Sequence, residues 1–204
     1  MKSSLLVLFT LLVSLVSLAQ DKPAAGPFGF ERGMTREQIV QIVGKDAVDA
    51  KSSTGNMMMV TKAPKSNPAF ENYLLIISPT QGLLKLIAVG TTVHTGDSGM
   101  ELKSAYEAVL AGVSQRYGST EKQLDGCNGG TGCTGNEYWM LGLYEKNRYL
   151  TALWTPNSPG NSVKVVAVEA HAANLNSGWV TVTYEFEGFT QYIDATQSKQ
   201  NESY

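Results

Sequence analysis

The stretch VHTGDSGMELK, residues 93–103, sets His94 four positions before Ser98, with glycines on either side of the Asp97-Ser98 pair. A serine becomes a nucleophile when a histidine takes its proton and a buried carboxylate orients that histidine. His94 is too close along the chain to act as that base by default. A second chemistry fits the spacing better. Glu101 follows Ser98 by three residues and an apolar stripe begins at Leu102. Ser-x-x-Glu before such a stripe reads as a helix capping box, the hydroxyl accepting a backbone N–H and the glutamate bonding back. Ser98 is therefore expected to cap a helix, with no catalytic role.

Other reactive side chains are few. The chain has two histidines, His94 and His171, each expected at a strand end near the surface, with no carboxylate cluster at ligand spacing beside them. The run Asn56-Met57-Met58-Met59-Val60 puts Met57 and Met59 on one side of a strand, where thioethers could hold a soft metal. Core packing by adaptable methionines explains the run more simply. No phosphate-loop, dinucleotide or hydrolase-elbow chemistry is expected. No cofactor is expected.

Cys127 and Cys133 are the only cysteines, set in CNGGTGC. Two thiols without neighbouring histidines make a poor zinc site, and the spacing is not that of a redox pair. In an exported chain the even count predicts a disulfide closing a glycine loop. Export is itself legible. Lys2 precedes the apolar run Leu5 to Val16, and Ser17-Leu18-Ala19 has small residues where a signal peptidase requires them. The reading is a signal peptide over 1–19 cut after Ala19, a flexible start over 20–27, and a periplasmic or secreted product. The apolar run is too short for a good membrane span, and no cysteine follows the cut to carry a lipid. Loss of Lys2 with the leader leaves 15 basic against 18 acidic residues, a net charge of −3. No two Lys or Arg are adjacent, so the footprint of a nucleic-acid binder is missing.

The elements that must position these groups follow from periodicity. Thr35 and Gln38 form a capping box, Met34 staples onto Ile39, and Gly44 ends a short helix with its stripe at Ile39, Val40 and Val43. Strands are expected at Met57–Lys62, Asn72–Ser78 and Leu83–Thr92. A longer helix carries Leu102, Ala105, Tyr106, Val109, Leu110, Val113 and Tyr117 on one face and stops at Gly118. Further strands are expected at Glu137–Tyr144, Tyr149–Trp154, Val163–His171 and Trp179–Glu187, with a polar tail over 189–204. The class is α+β: one domain over 28–188, built as two helix-plus-antiparallel-meander repeats (28–93 and 97–188) with the helices packed on one face of the sheet.

GMTREQIVQIVG, with Gly33, Met34, Thr35, the Glu37-Gln38 pair and Gly44, resembles the opening of the BamE/SmpA family of small envelope proteins. It is also similar to the tandem fold of the β-lactamase-inhibitor proteins (BLIP). FGFERGMT and TKAPKSNPAFENYLLIISP resemble uncharacterised exported bacterial proteins. These resemblances imply a helix-then-meander fold and a non-catalytic role, and they carry over no partner. The lipid-anchor cysteine of the BamE proteins is absent, and the inhibitor-type binding residues have no counterparts here.

The first functional reading is thus a non-catalytic exported module that binds a protein or envelope component through its sheet face. The alternatives are a hydrolase whose site has no sequence signature, and a small-ligand or metal binder using the methionines and His94. On the last strand, alternation sends Val180, Val182, Tyr184 and Phe186 to the core and Trp179, Thr181, Thr183 and Glu185 outward. Trp179, with Tyr138 and Tyr149 from the neighbouring segment, is the candidate binding set, because aromatics with a polar handle concentrate interface energy.

Overall fold

A computed structural model describes residues 26–157 and 162–201. The expected signal peptide, most of the flexible start, part of the Pro156–Asn161 turn and the last residues of the tail lie outside the described residues. In chain order the elements are α1 (Arg36–Val43), β1 (Val48–Asp49), β2 (Met57–Val60), β3 (Phe70–Ser78), β4 (Gly82–Gly90), β5 (Val93–His94), α2 (Met100–Tyr117), β6 (Lys122–Cys127), α3 (Trp139–Tyr144), β7 (Arg148–Trp154), β8 (Val163–Asn174), β9 (Ser177–Phe186) and α4 (Phe189–Asn201). The class is α+β, with four helices on a nine-stranded antiparallel sheet.

The helix starting at Arg36 forms as its sequence dictates. The Gln38 N–H donates to Thr35 Oγ1 at 3.3 Å, and the Thr35 N–H donates to Gln38 Oε1 at 2.9 Å. Gly44 closes the helix at φ 89°, and Ile39 is fully buried. Strands β2, β3 and β4 form a meander, and β7, β8 and β9 form another. The strand order β1-β2-β3-β4-β9-β8-β7-β6 joins them at the pairing of β4 with β9. One sheet face carries Tyr73, Leu75, Leu86, Ala88, Val180, Val182, Tyr184, Val166 and Val168, all buried. Leu102, Tyr106 and Val113 of α2, and Trp139, Met140 and Leu143 of α3, belong to the same core.

The structure departs from the expected elements at three segments. Glu137–Tyr144 is no strand: it is a 3₁₀ turn over Asn136–Tyr138 leading into α3. Trp139, Met140 and Leu143 are buried at helical spacing, and the backbones of Gly132 and Gly142 touch so closely that a Cβ on Gly132 would lie 2.1 Å from Gly142 Cα. Only residues without a side chain allow that approach. Second, Lys122–Cys127 is a strand although only Leu124 in it is large and aliphatic. It is the last strand of the sheet path, and polar residues there leave the edge unattractive to other strands. Third, the tail is a thirteen-residue helix, α4, with Phe189, Tyr192, Ile193 and Thr196 half-buried along one side. It departs from the expected one-sided packing. The Phe189 ring lies 4.8 Å from Lys85 Nζ, and Lys85 alternates with buried Leu86, so α4 touches the opposite sheet face. The Asn56 side chain also donates to the Tyr192 hydroxyl at 2.5 Å.

Candidate functional site

The GDSG segment does something other than the capping expected of it. Gly99, not Ser98, occupies the N-cap, in the left-handed region at φ 68°, and no side chain caps the helix. The Lys103 N–H donates to the Gly99 carbonyl at 2.8 Å, and none of the described hydrogen bonds uses the Ser98 hydroxyl. Glu101 turns instead to the Thr95 hydroxyl, 2.6 Å away, which holds its carboxyl below the usual range. The reason for glycine is the ring beside it. A Cβ on residue 99 would lie 2.2 Å from Cε3 of Trp139, a fully buried side chain. The Met140 N–H donates to the Asp97 carbonyl at 2.9 Å, so the segment is the seat on which α3 docks. His94 pairs with Ser177 across β5 and β9.

The sheet face opposite α2 and α3, which α4 touches at Lys85 and which is otherwise open, is a more substantial surface. Register places Asp49, Met59, Leu74, Ile87, Thr183, Ala167, Leu153 and Lys122 in one continuous cross-strand row. Met59, Leu74, Ile87, Ala167 and Leu153 are all half-buried. The row is apolar through its middle except at buried Thr183, and charged at its two ends. A parallel row runs Met57, Ile76, Lys85, Glu185, Val165, and in it Lys85 Nζ and Glu185 Oε1 meet at 2.9 Å. The methionine run is therefore divided: Met58 is in the core, while Met57 and Met59 belong to the open face. Packing in the core explains only one of the three.

Of the expected binding residues, Trp179 and Tyr149 belong to this face and Tyr138 does not. Trp179 is half-buried and stacks on His171 of β8, with centroids 5.4 Å apart and planes 21° from parallel. His171 is not at a strand end. It lies within β8, pairs with Trp179 and sits 2.9 Å from the Thr181 hydroxyl through Nε2. Burial lowers its pKa, against the opposing pull of Glu169. Tyr149 is exposed on β7 opposite Gly126, and its ring covers the space a side chain at 126 would need. Tyr138 is exposed in the 3₁₀ turn before α3, off the sheet. Thr181 and Thr183, expected outward and open, are buried among larger cross-strand neighbours that include Ile87, Val89 and Glu169. The apolar cross-strand row was missed at the sequence level, because register alone assembles it.

Cys127 and Cys133 are bridged, as expected, with Cα atoms 5.7 Å apart. The loop also contains Gly130-Thr131-Gly132-Cys133-Thr134-Gly135, which has the G-x-G-x-x-G spacing of a dinucleotide loop, contrary to the expectation that none is present. Its context is wrong for a dinucleotide site, which needs a parallel strand–loop–helix unit. Here a bridged 3₁₀ turn stands between an antiparallel strand and a six-residue helix. Among the described residues no three His, Cys, Asp or Glu side chains converge, and no helix is long and apolar enough to cross a membrane. The chain matches no protein-family model, no curated protein and no solved structure.

Proposed function

We propose that this chain is a non-catalytic exported binding module that holds a partner protein against the open face of its sheet. One observation carries the reading: the row Met59–Leu74–Ile87–Thr183–Ala167–Leu153, half-buried except at buried Thr183, which crosses six strands. An antiparallel sheet with one solvated face ordinarily alternates apolar-in and polar-out. Here both sides of β3 and β4 are largely aliphatic, and contiguous apolar surface of that kind marks interaction sites. Trp179 and Tyr149 supply aromatic anchors at the same face, and the charged ends Asp49 and Lys122 provide a polar rim. The BamE- and BLIP-like opening over residues 33–44, and the two meanders read as two rounds of one plan meeting at β4 and β9, agree with a binding role.

The test is a photo-crosslinking residue placed at Leu74, at Leu153 and, as a control on the helical side, at Ala111, in cells that export the protein. One common partner is expected at positions 74 and 153 and none at 111. Trp179→Ala should reduce its yield by about tenfold or more while leaving the melting temperature nearly unchanged. Equal labelling at Ala111, or capture insensitive to Trp179→Ala, would refute the face.

A further inference from the structure

On the open side of the sheet, α4 shows how this face receives a helix. Its Phe189 ring meets Lys85 on β4, and its Tyr192 hydroxyl meets Asn56 at the start of β2, two strands away. The helix therefore runs across the strands, with Phe189, Tyr192, Ile193 and Thr196 half-buried along one side. The apolar row from Met59 to Leu153 runs in the same direction beside it. Lys85 lies two residues from Ile87, and Glu185 two from Thr183, so the two lines are about 7 Å apart. Packed helix axes are separated by about 8–10 Å. At the other border Trp179 and Tyr149 each stand four residues from the row along their own strands, roughly 13 Å away. The strip between α4 and these aromatics has room for one helix of roughly 10–12 Å diameter and not for two.

The length and floor of the strip fit the same object. From β2 to β7 the row crosses five strand spacings, about 24 Å, the length of about sixteen helical residues. The floor dips at its centre, where Ala167 pairs with Thr183 between the larger Ile87 and Leu153. An extended peptide would gain little there, because these strands already pair with one another and only a sheet edge offers new backbone partners. The two ends carry opposite charge. Beyond Met59 is Asp49, whose carboxyl the Ser52 hydroxyl holds below the usual range; beyond Leu153 is exposed Lys122. A helix carries partial positive charge at its N-terminus and partial negative charge at its C-terminus.

We infer that the partner held on this face presents an amphipathic helix of about sixteen residues, laid across the strands beside α4 with its N-terminus at Asp49 and its C-terminus at Lys122. This rests on the binding face proposed above and names what that face takes. The helix carries apolar residues at i, i+3 or i+4, i+7 and i+11, with a large one seated over Ala167.

Crosslinks from Leu74 and Leu153, mapped on the partner by mass spectrometry, read the shape of what lies there. Four strand spacings separate the two positions, about 19 Å. A helix spans that distance in about 13 residues and an extended strand in about six. The expected result is two sites in one continuous segment, about 11–15 residues apart, with the Leu74 site nearer the N-terminus. A synthetic peptide of that segment should bind the purified exported protein and gain helical circular dichroism on binding. Ala167→Glu, which sets a charge in the floor, should weaken the peptide by at least about tenfold. Leu153→Glu carries the same test should Ala167→Glu fail to fold. No common partner at the two positions would overturn the binding face and the helix together. Sites about six residues apart, in unconnected segments, in reversed order or on a second copy of this chain would leave the face standing and overturn this assignment. A bound peptide that stays non-helical, or one indifferent to a folded glutamate variant, would do the same.

Discussion

Replacing Gly99 by alanine isolates what GDSG contributes to this fold. An L-residue held at φ 68° loses about 1–2 kcal/mol relative to glycine. The new methyl group would also sit 2.2 Å from Trp139 Cε3 and 2.5 Å from Cζ3, far inside any tolerated contact. The ring has little room to retreat. It is 1% exposed, and Lys103 Nζ lies 4.5 Å from its centroid. Overpacking of this kind costs about 1–3 kcal/mol, so the two effects together come to about 2–5 kcal/mol. With a urea m-value of about 2 kcal/mol/M, the unfolding midpoint of Gly99→Ala should fall by about 1–2.5 M. Ser98→Ala, lacking any cap bond to lose, should stay within about 0.5 kcal/mol of wild type. In a Trp139→Leu background the clash is removed, and Gly99→Ala should cost only the backbone contribution of about 1–2 kcal/mol. A Ser98→Ala loss larger than that of Gly99→Ala would restore the serine cap and refute the reasoning. An identical Gly99→Ala cost with and without Trp139 would acquit the ring.

Two further outcomes are expected. Unreduced protein should show no alkylatable thiol, and replacing Cys127 and Cys133 with serine should cost about 2 kcal/mol for a loop of this length; two free thiols in the mass spectrum would remove the bridge. Because burial lowers the pKa of His171, the unfolded chain takes up its proton at higher pH than the folded one. The stability supplied by the neutral ring is then complete above about pH 6.5, the unfolded value, and is lost as pH falls through the folded value. Melting temperature should drop on acidification from about pH 7 to 5, with a shallower slope in His171→Gln; an equal slope in that variant would place the titrating group elsewhere.

What the sequence revealed depended on whether a signal was local. The Thr35–Gln38 box and the terminal Gly44 are contained in ten residues, and the helix forms between them as read. Alternation along β9 placed Val180, Val182, Tyr184 and Phe186 in the core. EYWMLGLY misled because an aromatic-rich apolar run scores as a strand, whereas its fate is decided by the contact of Gly142 with Gly132 and of Trp139 with Gly99. Ser98 misled for a related reason: the capping spacing is correct, but the ring of Trp139 shifts the helix start to a left-handed glycine. The stripe of α4 at Phe189, Tyr192, Ile193 and Thr196 has helical spacing and was readable, though the polar residues between masked it. The apolar row could not be read. It needs the register of eight strands.

The seam between β4 and β9 bears on how the molecule comes into being. Ile87 pairs with Thr183, so the middle of the sheet is closed by partners nearly a hundred residues apart. Until β9 is available, the half built on β2–β4 ends in a strand of aliphatic residues with unpaired backbone groups. A chain emerging from a ribosome or a translocation pore therefore cannot complete its structure stepwise. It must wait for residue 186 and then pay the loop-closure entropy in one event, which places it among slow, high-contact-order folders with lifetimes of about milliseconds to seconds. During that interval the bare β4 edge is the point at which a second chain could add itself, and a chaperone that covers this one strand would protect the whole.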